Sequence, residues 1–303
     1  MTVERSIVFN PYMNDTRPIG IFDAGVGGLD VFRELSHALP HENIVYIGDT
    51  ARGPYGVLSP STIEKYALQS ILYLMEQNVK LMVAASCTVS SVILESLNQK
   101  FHLPIIGTAE SCIKTALRRT RQNCIGVLGS LATIGCGWYE HSLKKKREGV
   151  IVHVQACPLL IPLAEEGWLD GDVARHAVSR YVEPLIKNRI DTLILGSVYL
   201  TNFKPVIQAA VGSDVSIIDP PEEVVRVTSE RLKLMGMENG TTNTPAHTIA
   251  MSDVSSHNQV MGTRFLGKAL GPVVRADIES LKATTWMPSC GIRGAEPSNG
   301  GRL

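Results

Sequence analysis

The sequence predicts an α/β protein made of two doubly wound parallel-sheet domains, with its site in the cleft between them. Two observations carry this. Short apolar runs alternate with longer amphipathic stretches along most of the chain, the pattern of βα units and so of parallel sheets. Two of those runs also echo each other. Residues 80–90 (KLMVAASCTVS) and 191–199 (DTLILGSVY) both end in small polar residues. Such runs read as buried parallel strands whose C-terminal ends open into loops, where open sheets bind ligands. One such end in each half of a duplicated chain lets the two face each other.

The elements follow in order. Residues 19–22 are a strand, leading through a Gly-rich turn into a helix from about residue 29. Residues 43–47 are a strand, 61–77 a long amphipathic helix and 79–85 a strand. Residues 90–100 are helical and 104–107 a strand. The second half repeats the theme with strands at 124–129, 150–156, 193–196 and 215–219. Its helices fall at 133–146 and 172–187, and a further helix at 222–235 returns to the first half. Residues 237–245, rich in Asn, Gly and Thr, are a loop, and 249–252 and 273–278 are terminal strands. The domains are therefore 18–112 plus 220–286, discontinuous, and 113–219. Residues 1–17 read as a flexible leader and 287–303, rich in Gly, Ser and Pro, as a flexible tail.

Composition narrows the function. The chain has 303 residues, 44% hydrophobic, so a substantial core is available and global disorder is excluded. Its 29 basic and 29 acidic residues cancel, which argues against a protein that coats nucleic acid or an anionic membrane. The basic run 144–147 fits a solvated helix end. No apolar run approaches the ~20 residues that span a bilayer, and the first 18 residues lack a signal pattern. The six cysteines form no C-x-x-C pair and no zinc-type spacing, which suggests a reducing cytoplasmic compartment and no metal.

Several motifs carry candidate chemistry. Asp23-Ala24-Gly25-Val26-Gly27-Gly28 follows a strand and opens a helix. Its glycines do not have the dinucleotide spacing. A tight turn that offers backbone N–H groups to an anion such as a carboxylate fits better, with Asp23 as a polar catalytic group or a cap. Gly53-Pro54-Tyr55-Gly56 is a turn that can touch a ligand. Glu165 ends the apolar run 156–164, so burial there would raise its pKa.

Together these stretches resemble the glutamate racemases of the aspartate/glutamate racemase superfamily, over about residues 18–278. The matching segments are 20–29 (GIFDAGVGGL), 48–56 (GDTARGPYG), 156–160 (ACPLL), 165–167 (EEG) and 191–196 (DTLILG). The resemblance implies two domains related by pseudo-twofold symmetry. It also implies a small amino acid or carboxylate held between them, no cofactor and a homodimer. Asp23, Tyr55, Gly56, Thr88, Thr133 and Glu165 fit the family pattern. The family's two catalytic cysteines fall at Ser86 and Ser197. Its neighbouring asparagine falls at Cys87, its threonine and histidine at Val198 and Tyr199, and a turn serine at Ala24. The candidate catalytic set is thus Asp23, Ser86, Cys87, Glu165, Ser197 and Tyr199. Candidate substrate contacts are Ala24, Gly25, Pro54, Tyr55, Gly56, Thr88, Ser130, Thr133 and Val198.

The exchange matters chemically. A free thiol titrates near 8.5 and can be tuned, whereas an alcohol is several units less acidic and needs a strong base beside it. The expectation is therefore a racemase scaffold turned to altered, cofactor-independent chemistry of lyase, isomerase, decarboxylase or cyclisation type. Two alternatives stand beside it. One is a non-catalytic homologue that binds or regulates. The other is a glutamate racemase with an atypical relay.

Overall fold

The computed structural model describes residues 15–282. The expected tail at 287–303 and the leader up to residue 14 lie outside them. Ten strands form two wholly parallel sheets. They are β1 (Ile19–Asp23), β2 (Ile44–Gly48), β3 (Leu81–Ala84), β4 (Ile105–Gly107), β5 (Cys124–Gly129), β6 (Ile151–Ala156), β7 (Thr192–Gly196), β8 (Ser216–Ile218), β9 (His247–Met251) and β10 (Val273–Arg275). The first sheet runs β10-β9-β2-β1-β3-β4 and the second β6-β5-β7-β8. The second therefore repeats the inner order β2-β1-β3-β4 of the first.

Helices cover both faces, so the central strands are apolar on both sides. Every residue of β1, β2, β3 and β7 is buried, as parallel sheets require. The helix Pro60–Glu76 shows how local sequence sets an element. Ser59 accepts the Thr62 N–H, Pro60 opens the first turn, and an apolar face including Ile63, Ala67, Ile71 and Leu74 turns inward.

Two expected helices are divided, and a further helix appears. The 90–100 helix is two helices, Cys87–Val92 and Leu94–Lys100, joined at Ile93, where φ is −136° and ψ 0°. The 133–146 helix is Leu131–Gly135 and Trp138–Lys146, broken by Gly137 in the left-handed region at φ +67°. A helix at Ser256–Leu266, unforeseen from the sequence, follows β9.

Residues 15–17 are tied down rather than flexible. The fully buried Lys80 ammonium donates to the Asp15 and Met237 carbonyls, both at 2.7 Å, and pairs with Glu42 Oε2 at 2.5 Å. All three of its donors are thereby used. Among the described residues no helix is long and apolar enough to cross a membrane.

Candidate functional site

Each sheet has a switch point, where the connections of adjacent strands leave in opposite directions. These lie between β1 and β3 and between β5 and β7, and ligands bind outside such points. The segments leaving those strands hold most of the candidate residues. The Gly-rich turn after β1 is clasped from both sides. A Cβ on Gly28 would stand 2.8 Å from the Ala85 Cβ after β3, and one on Gly27 would stand 2.8 Å from the Tyr199 ring after β7. Only glycine permits that approach.

The turn's amides do not point to open space. One Asp23 carboxylate oxygen accepts the Gly25 N–H at 3.1 Å and the Gly28 N–H at 3.0 Å. The Tyr199 hydroxyl stands against the same turn, 3.1 Å from where a Cβ on Gly25 would lie. Asp23 thus ties the turn together, taking two of the amides expected to face an anion. Burial raises the Asp23 pKa above the ordinary range, partly offset by these N–H donors.

After β3, Ser86 caps the helix Cys87–Val92, its hydroxyl accepting the Val89 N–H at 3.3 Å. Cys87 is 2% exposed and lies against the Thr108 hydroxyl and the Val198 N–H. Burial pushes its thiol up to about 12, so it is a protonated thiol at neutral pH. Thr88 reaches the other half. Its hydroxyl is 3.0 Å from both the Ser130 and Thr133 hydroxyls, and those two are 2.9 Å apart. This buried triangle joins the ends of β3 and β5. Gly56 packs on it, since a Cβ there would stand 2.7 Å from the Ser130 Cβ.

After β7, Ser197 is buried, and its side chain does not cap the 3₁₀ turn Val198–Phe203 that follows. The Tyr199 hydroxyl faces the Glu165 carboxylate, which comes from the C-terminal end of the helix Leu160–Glu166. Burial raises the Glu165 pKa. The Tyr199 hydroxyl and nearby His257 pull it partly back, while Glu166 adds a small upward push. Val198 is buried behind Tyr199.

A sequence model of the Asp/Glu/Hydantoin racemase family matches residues 23–228. The glutamate racemase of Geobacter metallireducens is 39% identical over 266 residues, covering 88% of this chain and 98% of that protein. The chain belongs to the Asp/Glu racemase family. The glutamate racemase of Neisseria meningitidis serogroup A is 38% identical over 255 residues, 84% of this chain and 94% of that one. In structure, glutamate racemase from Francisella tularensis, solved in complex with D-glutamate, matches with a TM-score of 0.82 at 29% identity. That match covers 88% of this chain and all of that one. A Bacillus anthracis glutamate racemase isoform matches at 0.83 and 32% identity, over 87% of this chain and 98% of its own.

Within this family fold, the candidate residues are brought together unevenly. Asp23, Ala24, Gly25, Ser86, Cys87, Thr88, Ser130, Thr133, Ser197, Val198 and Tyr199 lie in the segments that leave β1, β3, β5 and β7, with Glu165 against Tyr199. Tyr55 differs. Its hydroxyl bonds Asp49, whose carboxylate also takes Arg52 Nε at 2.8 Å and the Ser252 hydroxyl at 2.9 Å. The Tyr55 phenol therefore braces the loop through Asp49. Exposed Pro54 follows a cis peptide at the rim. Among the described residues no cluster of His, Cys, Asp or Glu could hold a metal ion.

Sequence reasoning missed the residues that cover Glu165 and Tyr199. Phe265 stacks edge-on to the Tyr199 ring at 5.1 Å, and Arg264 donates to the Glu165 carbonyl. The signal was present in Ser255 as a start and Gly267 as a stop.

Proposed function

We propose that this chain binds glutamate in the cleft between the two sheets and acts on its α-carbon as a slow glutamate racemase. The observation that carries this reading is the near full-length likeness to glutamate racemases at 37–39% identity. The structural neighbour holding D-glutamate supports it. These likenesses favour racemisation over the altered lyase, isomerase, decarboxylase or cyclisation chemistry expected from the serines, and that expectation is set aside. Residues 18–112 with 220–286 form one domain in this reading, 113–219 the other, and the protein is a homodimer.

Ser86 and Ser197 take the places that the family pattern gives to cysteines. Neither alcohol ionises near neutral pH. The groups able to carry protons are the buried carboxyls, Asp23 on the turn and Glu165 through Tyr199, both with raised pKa. Each general acid or base contributes on the order of 10²–10⁴ in rate, so replacing two matched thiols costs roughly 10⁴–10⁸. A second reading, binding without turnover, is favoured by the engagement of the Ser86 hydroxyl as a cap.

Incubation with L- or D-glutamate in deuterium oxide, followed by NMR of the α-proton, separates the readings. Exchange with inversion is the expected result. Saturable glutamate binding without exchange would transfer the assignment to the binding reading. Neither binding nor exchange would overturn both.

A further inference from the structure

We propose that Arg264 is a positioning residue for the Glu165–Tyr199 pair, holding the end of the helix Leu160–Glu166 so that carboxyl and phenol meet beside the Gly-rich turn. The inference rests in part on the functional reading of that site. The helix Ser256–Leu266, which carries Arg264, follows β9 of the first sheet, whereas Leu160–Glu166 follows β6 of the second. It lies beyond the family match, which ends at residue 228.

The contact has a clear physical cause. The last carbonyls of a helix have no intrahelical partner and carry partial negative charge. Arg264 Nη1 donates to the Glu165 carbonyl and lies 3.4 Å from that of Ala164. Its guanidinium covers Gly167, left-handed at φ +77°, where a Cβ would stand 2.5 Å from Cζ. Any side chain there would displace the arginine. The next residue, Phe265, stacks edge-on to Tyr199 at 79° between the planes, and Arg33 Nη1 fixes the Phe265 carbonyl at 2.7 Å. Two consecutive residues thus hold both partners, one by its backbone and one by its ring. His257, two helical turns earlier, also faces Glu165.

The test uses the full chain with ¹³C-labelled glutamate side chains, the Glu165 carboxyl signal being assigned by its loss in Glu165→Gln. The charged and titratable groups acting on that carboxyl are Tyr199, His257 and Glu166, while Arg264 engages the backbone carbonyl. In Arg264→Ala, the raised titration midpoint of Glu165 should fall toward the ordinary glutamate value as water reaches it. Arg264→Lys should restore part of the rise. Melting temperature should move by less than about 4 °C, the size of an ordinary surface change of under 1 kcal/mol. The Kd for glutamate should rise about tenfold, equal to about 1.4 kcal/mol. An unchanged midpoint in Arg264→Ala would overturn the proposal. If the wild type binds no glutamate, the functional reading fails, and the titration still decides the role of Arg264.

Discussion

At the scale of single residues, the proposed function turns on Ser86, Ser197 and the thiol of Cys87. Introducing thiols at 86 and 197 tests the proposed role of those two places. Ser86→Cys with Ser197→Cys should raise α-proton exchange of glutamate by at least about 10², the contribution of one matched acid–base group. Deuterium-exchange NMR measures it, and an unchanged rate would show that other residues limit the reaction. Cys87 behaves oppositely. Held protonated up to about pH 12 by burial, it should resist alkylation at pH 8, while exposed Cys136 labels before it. Mass spectrometry of iodoacetamide-treated native protein checks the order. Stability follows the same shift. Above about pH 8.5 the unfolded thiol ionises while the folded one keeps its proton, so the folded state binds more protons. Unfolding free energy should therefore fall as pH rises from about 8.5 toward 12, by up to about 1.4 kcal/mol per pH unit for Cys87. Buried Cys112 and Cys157 act in the same direction. Urea titrations at pH 8, 9 and 10 would reveal this slope, and Cys87→Ala should lessen it, leaving the part due to Cys112 and Cys157.

At the scale of elements, the hydroxyl triangle shows what links the strand ends. Thr88→Val keeps the shape but removes the group that both Ser130 and Thr133 face. Leaving buried hydroxyls short of a partner costs about 1–3 kcal/mol each, and urea denaturation should show a loss of that size. The same scale explains what was legible. Residues 19–22, 79–85 and 193–196 read as strands because burial on both faces makes for unbroken apolar runs. The helix Ser256–Leu266 was illegible because its buried face includes Asn258 and Gly262. Gly262 exists there for close packing, with a Cβ coming within 2.9 Å of Leu270. The buried positions 258, 261, 262, 265 and 266 do have helical spacing, but Asn258 and Gly262 dilute the apolar signal. Tyr55 was legible as a loop aromatic, but its bond to Asp49 depends on three dimensions. A sequence cannot show that the Asp23 carboxylate takes two of the turn's own amides.

At the scale of the whole molecule, Lys80 ties three distant pieces of chain. It joins the residues before β1, the loop after the helix Pro220–Met235, and Glu42 before β2. Lys80→Met would leave the Glu42 carboxylate buried without its cation, a change that costs about 3–5 kcal/mol. Adding Glu42→Gln should recover much of the loss, and thermal melts of the single and double variants measure both. The pairing of switch points across two sheets was foreshadowed by the echoing runs at 80–90 and 191–199, since similar sequence buries similarly. The extra strands β9 and β10 were legible only as weak apolar patches, and their side of the first sheet was not.

The first and last described strands belong to the same sheet: β1 is central in it and β10 is its edge, with the second sheet inserted between. A fluorophore pair attached near Asp15 and Lys282 would therefore both ride on one body. Its energy transfer would report unfolding of that body and stay silent when a ligand alters the cleft. A working optical sensor needs one dye near Lys282 and the other on the exposed turn at Glu148–Gly149, which leads into β6.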